Sequence, residues 1–281
     1  MALVKMSALL KRAEEKNIGC GAFNVGNMEM LSGVVKAAEE MAAPVIIQIA
    51  QVRLSHSPLE LMGPMMVEAA RRSKVDIAVH LDHGSSVEVI KQALDYGFTS
   101  VMFDGSGLPL EENVKKTAEV KRLAEGYGAD TEGELGVVGG SEGGGKDSEI
   151  KYTEPEEAES FCRETGVDAL AVAIGNAHGN YRGEPKLAFD VLEEIDKVTE
   201  TPLVLHGGSG ISDKDYIKAI SLGIRKLNIA TANFSALAGG VEEYARKTER
   251  VDFFKLNEIM IDSVYRNVKK YINVFSVKSQ V

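Results

Sequence analysis

Residues 75–86 read VDIAVHLDHGSS. The first eight form a short run rich in apolar and β-branched side chains, the composition of a strand. Alternation along an extended chain puts His80 and Asp82 on one side. His83 stands at the end, where glycine and two serines turn the chain. Similar runs recur on either side of it. Upstream lie GCGAFNV (19–25) and APVIIQI (43–49), and downstream TSVMFDG (99–105), ADTEGELG (129–136), VDALAVAIG (167–175), TPLVLHGG (201–208) and IRKLNIAT (224–231). Several are apolar on both faces, as strands of a covered parallel sheet are; the fifth is the polar exception. Between them run segments with apolar residues at helical spacing, such as MLSGVVKAAEEMA and SVEVIKQALDYG. Eight strand–helix units in 281 residues predict a (β/α)8 barrel in one domain spanning 1–281. The rival, a doubly wound open sheet, usually has fewer strands and a Gly-rich dinucleotide turn, which GCGAFNVG matches poorly.

Two segments fall outside that rhythm. The stretch from about 136 to 152 is too Gly-rich for a regular helix and is expected to be a mobile loop over one end of the barrel. The tail, from about 253 to 281, reads as additional C-terminal helix with a broad apolar face, suited to pack on the barrel or on a second subunit.

A net charge of −10 argues against a nucleic-acid partner, which requires a basic face. No apolar run reaches the length of a membrane span, and the amphipathic N-terminal segment lacks the core of a signal peptide. The two cysteines, Cys20 and Cys162, have no ligand-like spacing and read as small buried thiols of a cytoplasmic protein. An anionic substrate must then be met locally, by a metal, helix N-termini or a few basic side chains.

Polar residues gather where the strands end: Asn24, Asp82, His83, Asp104, Glu132, Glu134, His178, His206 and Asn228. In a barrel those ends converge on one face, where active sites of this architecture lie. Of the five histidines only His56 lies away from the strand ends. Three of the others, on strands three, six and seven, aim at one mouth. Three neutral imidazoles suit zinc with an open position for substrate or water, and leave cobalt, manganese and iron open. Asp104 and Glu134 are placed either to orient imidazole N–H groups or to ligate a displaced metal, and DGSG also makes Asp104 a turn residue. The small-residue loops HGGSGIS, with Gly207, Gly208 and Ser209, and NIATANFSA, with Ala230 and Thr231, follow strands seven and eight, where barrels cradle phosphate.

The segments HLDHG, EGELGVVGGSE, LAVAIGNAHGNY, LVLHGGSGIS and KLNIATANFSA, in this order, resemble the class II, metal-dependent ketose-bisphosphate aldolases. Fructose- and tagatose-bisphosphate aldolases look most alike, and the likeness covers nearly the whole chain. It implies reversible cleavage of a ketose 1,6-bisphosphate to dihydroxyacetone phosphate and glyceraldehyde 3-phosphate by a homodimer or homotetramer. It also implies that His83, His178 and His206 bind Zn2+, with Glu134 as an additional or alternate ligand. Asp82 becomes the acid–base residue at the C4 hydroxyl, and Glu142 the group that exchanges the proton on the dihydroxyacetone-phosphate carbon. Gly179, Gly207, Ser209, Asn228 and Thr231 hold that half of the substrate, joined by Asn24 and Gly208. A monovalent cation, Na+ or K+, is expected near the phosphate. The chemistry agrees. Cleavage leaves a carbanion that needs an electron sink, and strand six has no lysine for a Schiff base, while Lys226 is read at the entry end of strand eight.

The chain departs from the family at several positions. Gly143 follows Glu142 where an acidic residue is common, Asn176 replaces a threonine or serine, and Ala230 stands where many fructose enzymes have an aspartate. The Asp-Pro-Arg turn that supplies an arginine to the distal phosphate is missing. Arg53, Arg250 and Arg266 are substitutes among which spacing does not choose. A ketose 1-phosphate or a deoxy-ketogluconate phosphate is the alternative substrate. From other classes, the alternatives are a metal-dependent phosphosugar isomerase or epimerase and a non-catalytic phosphosugar sensor.

Overall fold

The computed structural model describes residues 2–139, 151–179 and 185–277. Eight parallel strands close into a barrel in the order β1 to β8. They are β1 (Cys20–Asn24), β2 (Val45–Ala50), β3 (Ile77–Gly84), β4 (Ser100–Phe103), β5 (Asp130–Leu135), β6 (Ala169–Val172), β7 (Leu203–Leu205) and β8 (Ile224–Ile229). Each overlaps one of the runs read from the sequence. The helices are α1 (Met6–Lys16), α2 (Met28–Glu40), α3 (Leu59–Arg72), α4 (Val87–Asp95), α5 (Leu110–Gly126), α6 (Pro155–Thr165), α7 (Phe189–Val198), α8 (Asp213–Ser221), α9 (Thr231–Lys247) and α10 (Phe253–Phe275). None of the described helices is long and apolar enough to cross a membrane.

Local chemistry starts the helices where the strands hand over. Asn27 caps α2 by accepting from the Met30 N–H at 2.9 Å, Ser212 caps α8 at Asp215, and Asp252 caps α10 at Lys255. Strand residues facing outward pack with the helices into one ring of core, running from Phe23 and Val45 round to Ile224 and Ile229. The barrel interior has two levels. Its N-terminal half is apolar: Ala22, Ile46, Ala78, Ala169, Ala171 and Val204 pack against Met6, Leu9 and Leu10 of α1, which plugs that end. Its C-terminal half is polar and carries the site.

The last helix closes the ring. α10 lies across α2, and at Gly33 an added Cβ would sit 2.7 Å from the Ile261 carbonyl oxygen, so only glycine admits that approach. The Gly19 N–H donates to the Phe275 carbonyl at 2.9 Å, tying the end of α10 to the entry of β1.

Candidate active site

β3 delivers two consecutive side chains to the mouth of the barrel. Strict alternation would send Asp82 inward and His83 outward. Instead the register against β4 shifts between Leu81 and Gly84, and His83 takes a left-handed φ of 47°. The strand therefore runs two residues past the expected end at Asp82, and its irregularity turns both groups the same way.

Asp82 is buried and accepts at both oxygens. Asn24 Nδ2 donates to Oδ2 at 2.8 Å, and Asn228 Nδ2 to Oδ1 at 3.1 Å. Each asparagine is itself oriented from below. Gln48 Nε2 donates to Asn24 Oδ1 at 2.7 Å, and Lys226 Nζ to Asn228 Oδ1 at 2.8 Å. With their carbonyls occupied, both amides must present N–H to the carboxylate.

The three histidines meet beside it. One ring nitrogen each from His83, His178 and His206 lies within 4.8 Å of the others. His83 Nε2 faces His206 Nδ1 at 2.9 Å, and the outer nitrogens face carboxylates: His83 Nδ1 is 2.9 Å from Asp104 Oδ2, and His206 Nε2 is 2.7 Å from Glu132 Oε1. Those partners assign the outer N–H protons and aim the inner nitrogens at one point. His206 follows β7 directly. His178 corrects the expectation that it sits on strand six: it lies in the following loop, beyond Val172, where its N–H donates to the Gly139 carbonyl at 2.6 Å.

Asp104 holds a turn and faces an imidazole at once. Its Oδ1 accepts from the Ser106 N–H at 3.1 Å and the Ser106 hydroxyl at 2.6 Å, closing a turn, while Oδ2 serves His83. Glu134, in β5, is fully buried, and neither carboxylate oxygen has a hydrogen bond among the described residues; Oε2 lies 3.9 Å from His83 Nδ1 and 4.0 Å from His206 Nδ1.

The electrostatics follow from this crowding. Burial alone would depress His83, but the carboxylates of Asp82, Asp104 and Glu134 outweigh it and raise its pKa to about 10. Burial, then the charge on His83, holds His206 well below the usual imidazole range. Burial pushes Glu134 well above the carboxylate range, reinforced by Asp104. Asp104 goes the other way: burial opposes ionisation, but the hydrogen bond and charge of His83 prevail and hold it low.

A divalent cation fits this group. Tetrahedral zinc with bonds of about 2.0–2.1 Å places neighbouring nitrogens about 3.4 Å apart, within the spread found here. A bound cation would draw the buried Glu134 carboxyl beside these rings into its ionised form and so gain the negative charge it needs.

A recess opens next to the histidines, lined by Asn24, Asp82, His178, Gly179, Gly207, Gly208, Ser209, Asn228, Ala230 and Thr231. Every residue expected to hold substrate is among them. α9 starts here with no side-chain cap at Ala230, and Ser209 Oγ accepts the Ala232 N–H at 3.0 Å. Gly207 has φ 62°, and a Cβ there would fall 2.2 Å from the Ala177 carbonyl oxygen, so the loops after β6 and β7 touch only because it is glycine. Asn176 braces the same contact, accepting from the Ile174 N–H at 2.8 Å and donating to the His206 carbonyl at 3.0 Å. Glu142 lies outside the described residues.

One expectation is corrected beneath this floor, at Lys226. His80, in the same layer, packs under the site: its Nδ1 pairs with Ser100 Oγ at 2.9 Å, and burial, then the Lys226 charge, hold it well below its ordinary pKa. Lys226 is not at the entry of its strand. It is fully buried inside the barrel, and its Nζ lies 2.8 Å from Glu132 Oε2. Glu132, Lys226 and Gln48 were given no role from sequence. Period two was the signal that could have found them, since it puts Glu132 with Glu134 and Lys226 with Asn228 on inward faces. Of the three arginines, Arg266 pairs with Asp262 on the exposed face of α10, and Arg250 is exposed. Arg53 follows β2 at the mouth, half-buried, 5.6 Å from the centre of the Phe234 ring.

Residues 4–280 match the family described as Fructose-bisphosphate aldolase class-II. The chain is 43% identical over 256 residues to a probable fructose-bisphosphate aldolase of Bacillus subtilis (strain 168), covering 90% of each. It is 41% identical over 254 residues to a fructose-bisphosphate aldolase of Staphylococcus aureus (strain Mu50 / ATCC 700699), covering 89% of each. The crystal structure of the YdjI aldolase from Escherichia coli K12 superposes with a TM-score of 0.88 at 37% identity over 97% of both chains.

Proposed function

The chain belongs to the class II fructose-bisphosphate aldolase family and is a carbon–carbon lyase, and on that premise we propose that it reversibly cleaves fructose or tagatose 1,6-bisphosphate to dihydroxyacetone phosphate and glyceraldehyde 3-phosphate. His83, His178 and His206 hold zinc, with Glu134 as the additional ligand and Asp104 orienting His83. When bound, the ion supplies Lewis acidity to the carbonyl and neighbouring hydroxyl oxygens of the ketose.

Asp82 takes the proton of the C4 hydroxyl as the C3–C4 bond breaks. The electron pair of that bond stays on the dihydroxyacetone-phosphate half, and C4 leaves as the aldehyde. In condensation Asp82 returns the proton. Asn24 and Asn228 keep its oxygens in place. The phosphate of the retained half lies against Gly179, Gly207, Gly208, Ser209 and Thr231, where the start of α9, with no side-chain cap from Ala230, favours an anion. A monovalent cation beside that phosphate belongs to the same proposal, as does Glu142 as the group exchanging the proton on the dihydroxyacetone-phosphate carbon. Arg53, at the mouth, meets the distal phosphate.

The observation that carries the reading is the convergence of three imidazole nitrogens within 4.8 Å, next to a carboxylate fixed by two amides. Homodimeric or homotetrameric assembly is part of the proposal, supported by Phe253 and Phe254, 65% and 75% exposed at the start of α10. A cytoplasmic setting is supported by Cys20 and Cys162 being free thiols.

The test is a coupled assay for dihydroxyacetone phosphate with both bisphosphates, with and without a chelator, followed by zinc reloading. Zinc-restored cleavage is expected. No dihydroxyacetone phosphate from either substrate, or full activity after the metal is stripped, refutes the proposal.

A further inference from the structure

We propose that Lys226 is a positioning residue for the acid–base carboxylate, acting through Asn228. The inference rests on the role given above to Asp82.

A lysine buried inside an aldolase barrel invites a Schiff-base reading, and the geometry points elsewhere. Lys226 is 0% exposed and does not line the recess that receives substrate. Its ammonium is held on two sides, 2.8 Å from Glu132 Oε2 and donating at 2.8 Å to Asn228 Oδ1. The second contact has a directional consequence. An amide has one acceptor end and one donor end. With the lysine on Oδ1, Nδ2 faces Asp82 Oδ1 at 3.1 Å. If the amide turned over, its carbonyl would oppose the carboxylate and its NH2 would oppose the ammonium. Lys226 therefore decides which face Asn228 shows to Asp82. Glu132 anchors the lysine, and its other oxygen accepts from His206 at 2.7 Å, so the anchor is shared with the histidine cluster.

A purely structural role predicts something different. If Lys226 only neutralised the buried Glu132, removing both charges together would be harmless. Lys226→Met alone would strand that carboxylate, so the informative variant is Glu132→Gln with Lys226→Met; Gln still offers His206 an acceptor. The experiment compares this double variant, Asn228→Ala, the triple variant and Asp82→Ala, all as zinc-loaded full chains. It reads kcat and KM for ketose-bisphosphate cleavage, zinc affinity by chelator competition, and the urea midpoint.

The double variant is expected to fold and to bind one zinc per chain within tenfold of the wild-type affinity. Its KM should stay within threefold while kcat falls roughly 10²-fold, the order expected when a reacting group is misplaced. Adding Asn228→Ala to it should then cost less than threefold more, because both changes remove the same restraint. A double variant with kcat within threefold of wild type overturns the proposal, and so does a triple variant that pays the full separate cost of Asn228→Ala. Asp82→Ala separates the two levels. If it cleaves at a near-normal rate, the role assigned to Asp82 fails. If it is inactive while the double variant is normal, only the inference about Lys226 fails.

Discussion

Asp104→Asn probes the histidine cluster with the smallest change of shape. In the wild type the two carboxylate oxygens face two sets of donors: Ser106 N–H and hydroxyl on Oδ1, His83 Nδ1 on Oδ2. An asparagine has one carbonyl oxygen and cannot serve both. If the carbonyl faces Ser106, the NH2 faces His83 Nδ1 and drives the imidazole proton onto Nε2, the nitrogen that points at His206. If the carbonyl faces His83, donor meets donor at Ser106. The first outcome blocks a ligand atom and the second loses the turn. Removing such an outer partner of a metal-bound histidine typically costs 10–100-fold in affinity, about 1.4–2.7 kcal/mol. Zinc affinity measured by chelator competition should fall by that amount in Asp104→Asn. The zinc-saturated variant should keep most of its activity. His83→Ala, in the same assay, should lose tight binding altogether. An Asp104→Asn protein that binds zinc within threefold of the wild type, while His83→Ala does not bind, would show the reasoning to be wrong.

Gly207→Ala forces a left-handed backbone on a Cβ and drives it against the Ala177 carbonyl; the two penalties together come to roughly 2–5 kcal/mol. A urea midpoint corresponding to less than about 1 kcal/mol of loss would contradict the contact between those loops. Cys20 should make the fold alkali-sensitive. Burial raises its pKa from 9.0 to about 12, so the neutral thiol is favoured in the folded state; that stability is complete below pH 9 and is lost between pH 9 and 12, up to about 4 kcal/mol. Cys20→Ala should therefore lose less stability than the wild type between pH 9 and 11, and parallel urea midpoints for the two would exclude the effect. Replacing Phe253 and Phe254 by serine should convert a dimer or tetramer to monomer in light scattering; an unchanged mass would move the subunit contact elsewhere.

The barrel was legible because its strands are local patterns. Val45–Ala50 and Ala169–Val172 announce themselves by apolar residues on both faces, which only a covered parallel sheet explains. β5 was the weak reading for a physical reason: DTEGEL turns Glu132 and Glu134 inward, to partners far away in the chain, such as His83, His206 and Lys226. Charge usually marks a surface, and nothing near Glu132 in the chain says that a lysine on β8 will meet it. The irregularity in β3 was also hidden, since alternation cannot foretell a residue at positive φ. Asp82 and His83 both read as candidates from the sequence, yet the backbone turn that brings them to one mouth is a property of the closed sheet. Asn176 looked like a departure from its family, and only the contact with the His206 carbonyl gives that side chain a purpose.

The seal between α10 and the entry of β1 also has a bearing on timing. Gly19 bonds to the carbonyl of Phe275, and Phe275 is 1% exposed. The β1–α2 unit thus waits for α10, made long after it, before its surface is covered. Until β8 follows, β1 lacks its neighbour, and until α10 follows, α2 lacks the helix that packs at Gly33. A nascent chain holding Asp82 and all three histidines would still carry an open sheet edge and a bare helix face, the features that recruit chaperones or other unfinished chains. Synthesis of this barrel has no safe halfway point: β8 closes the sheet and α10 covers it.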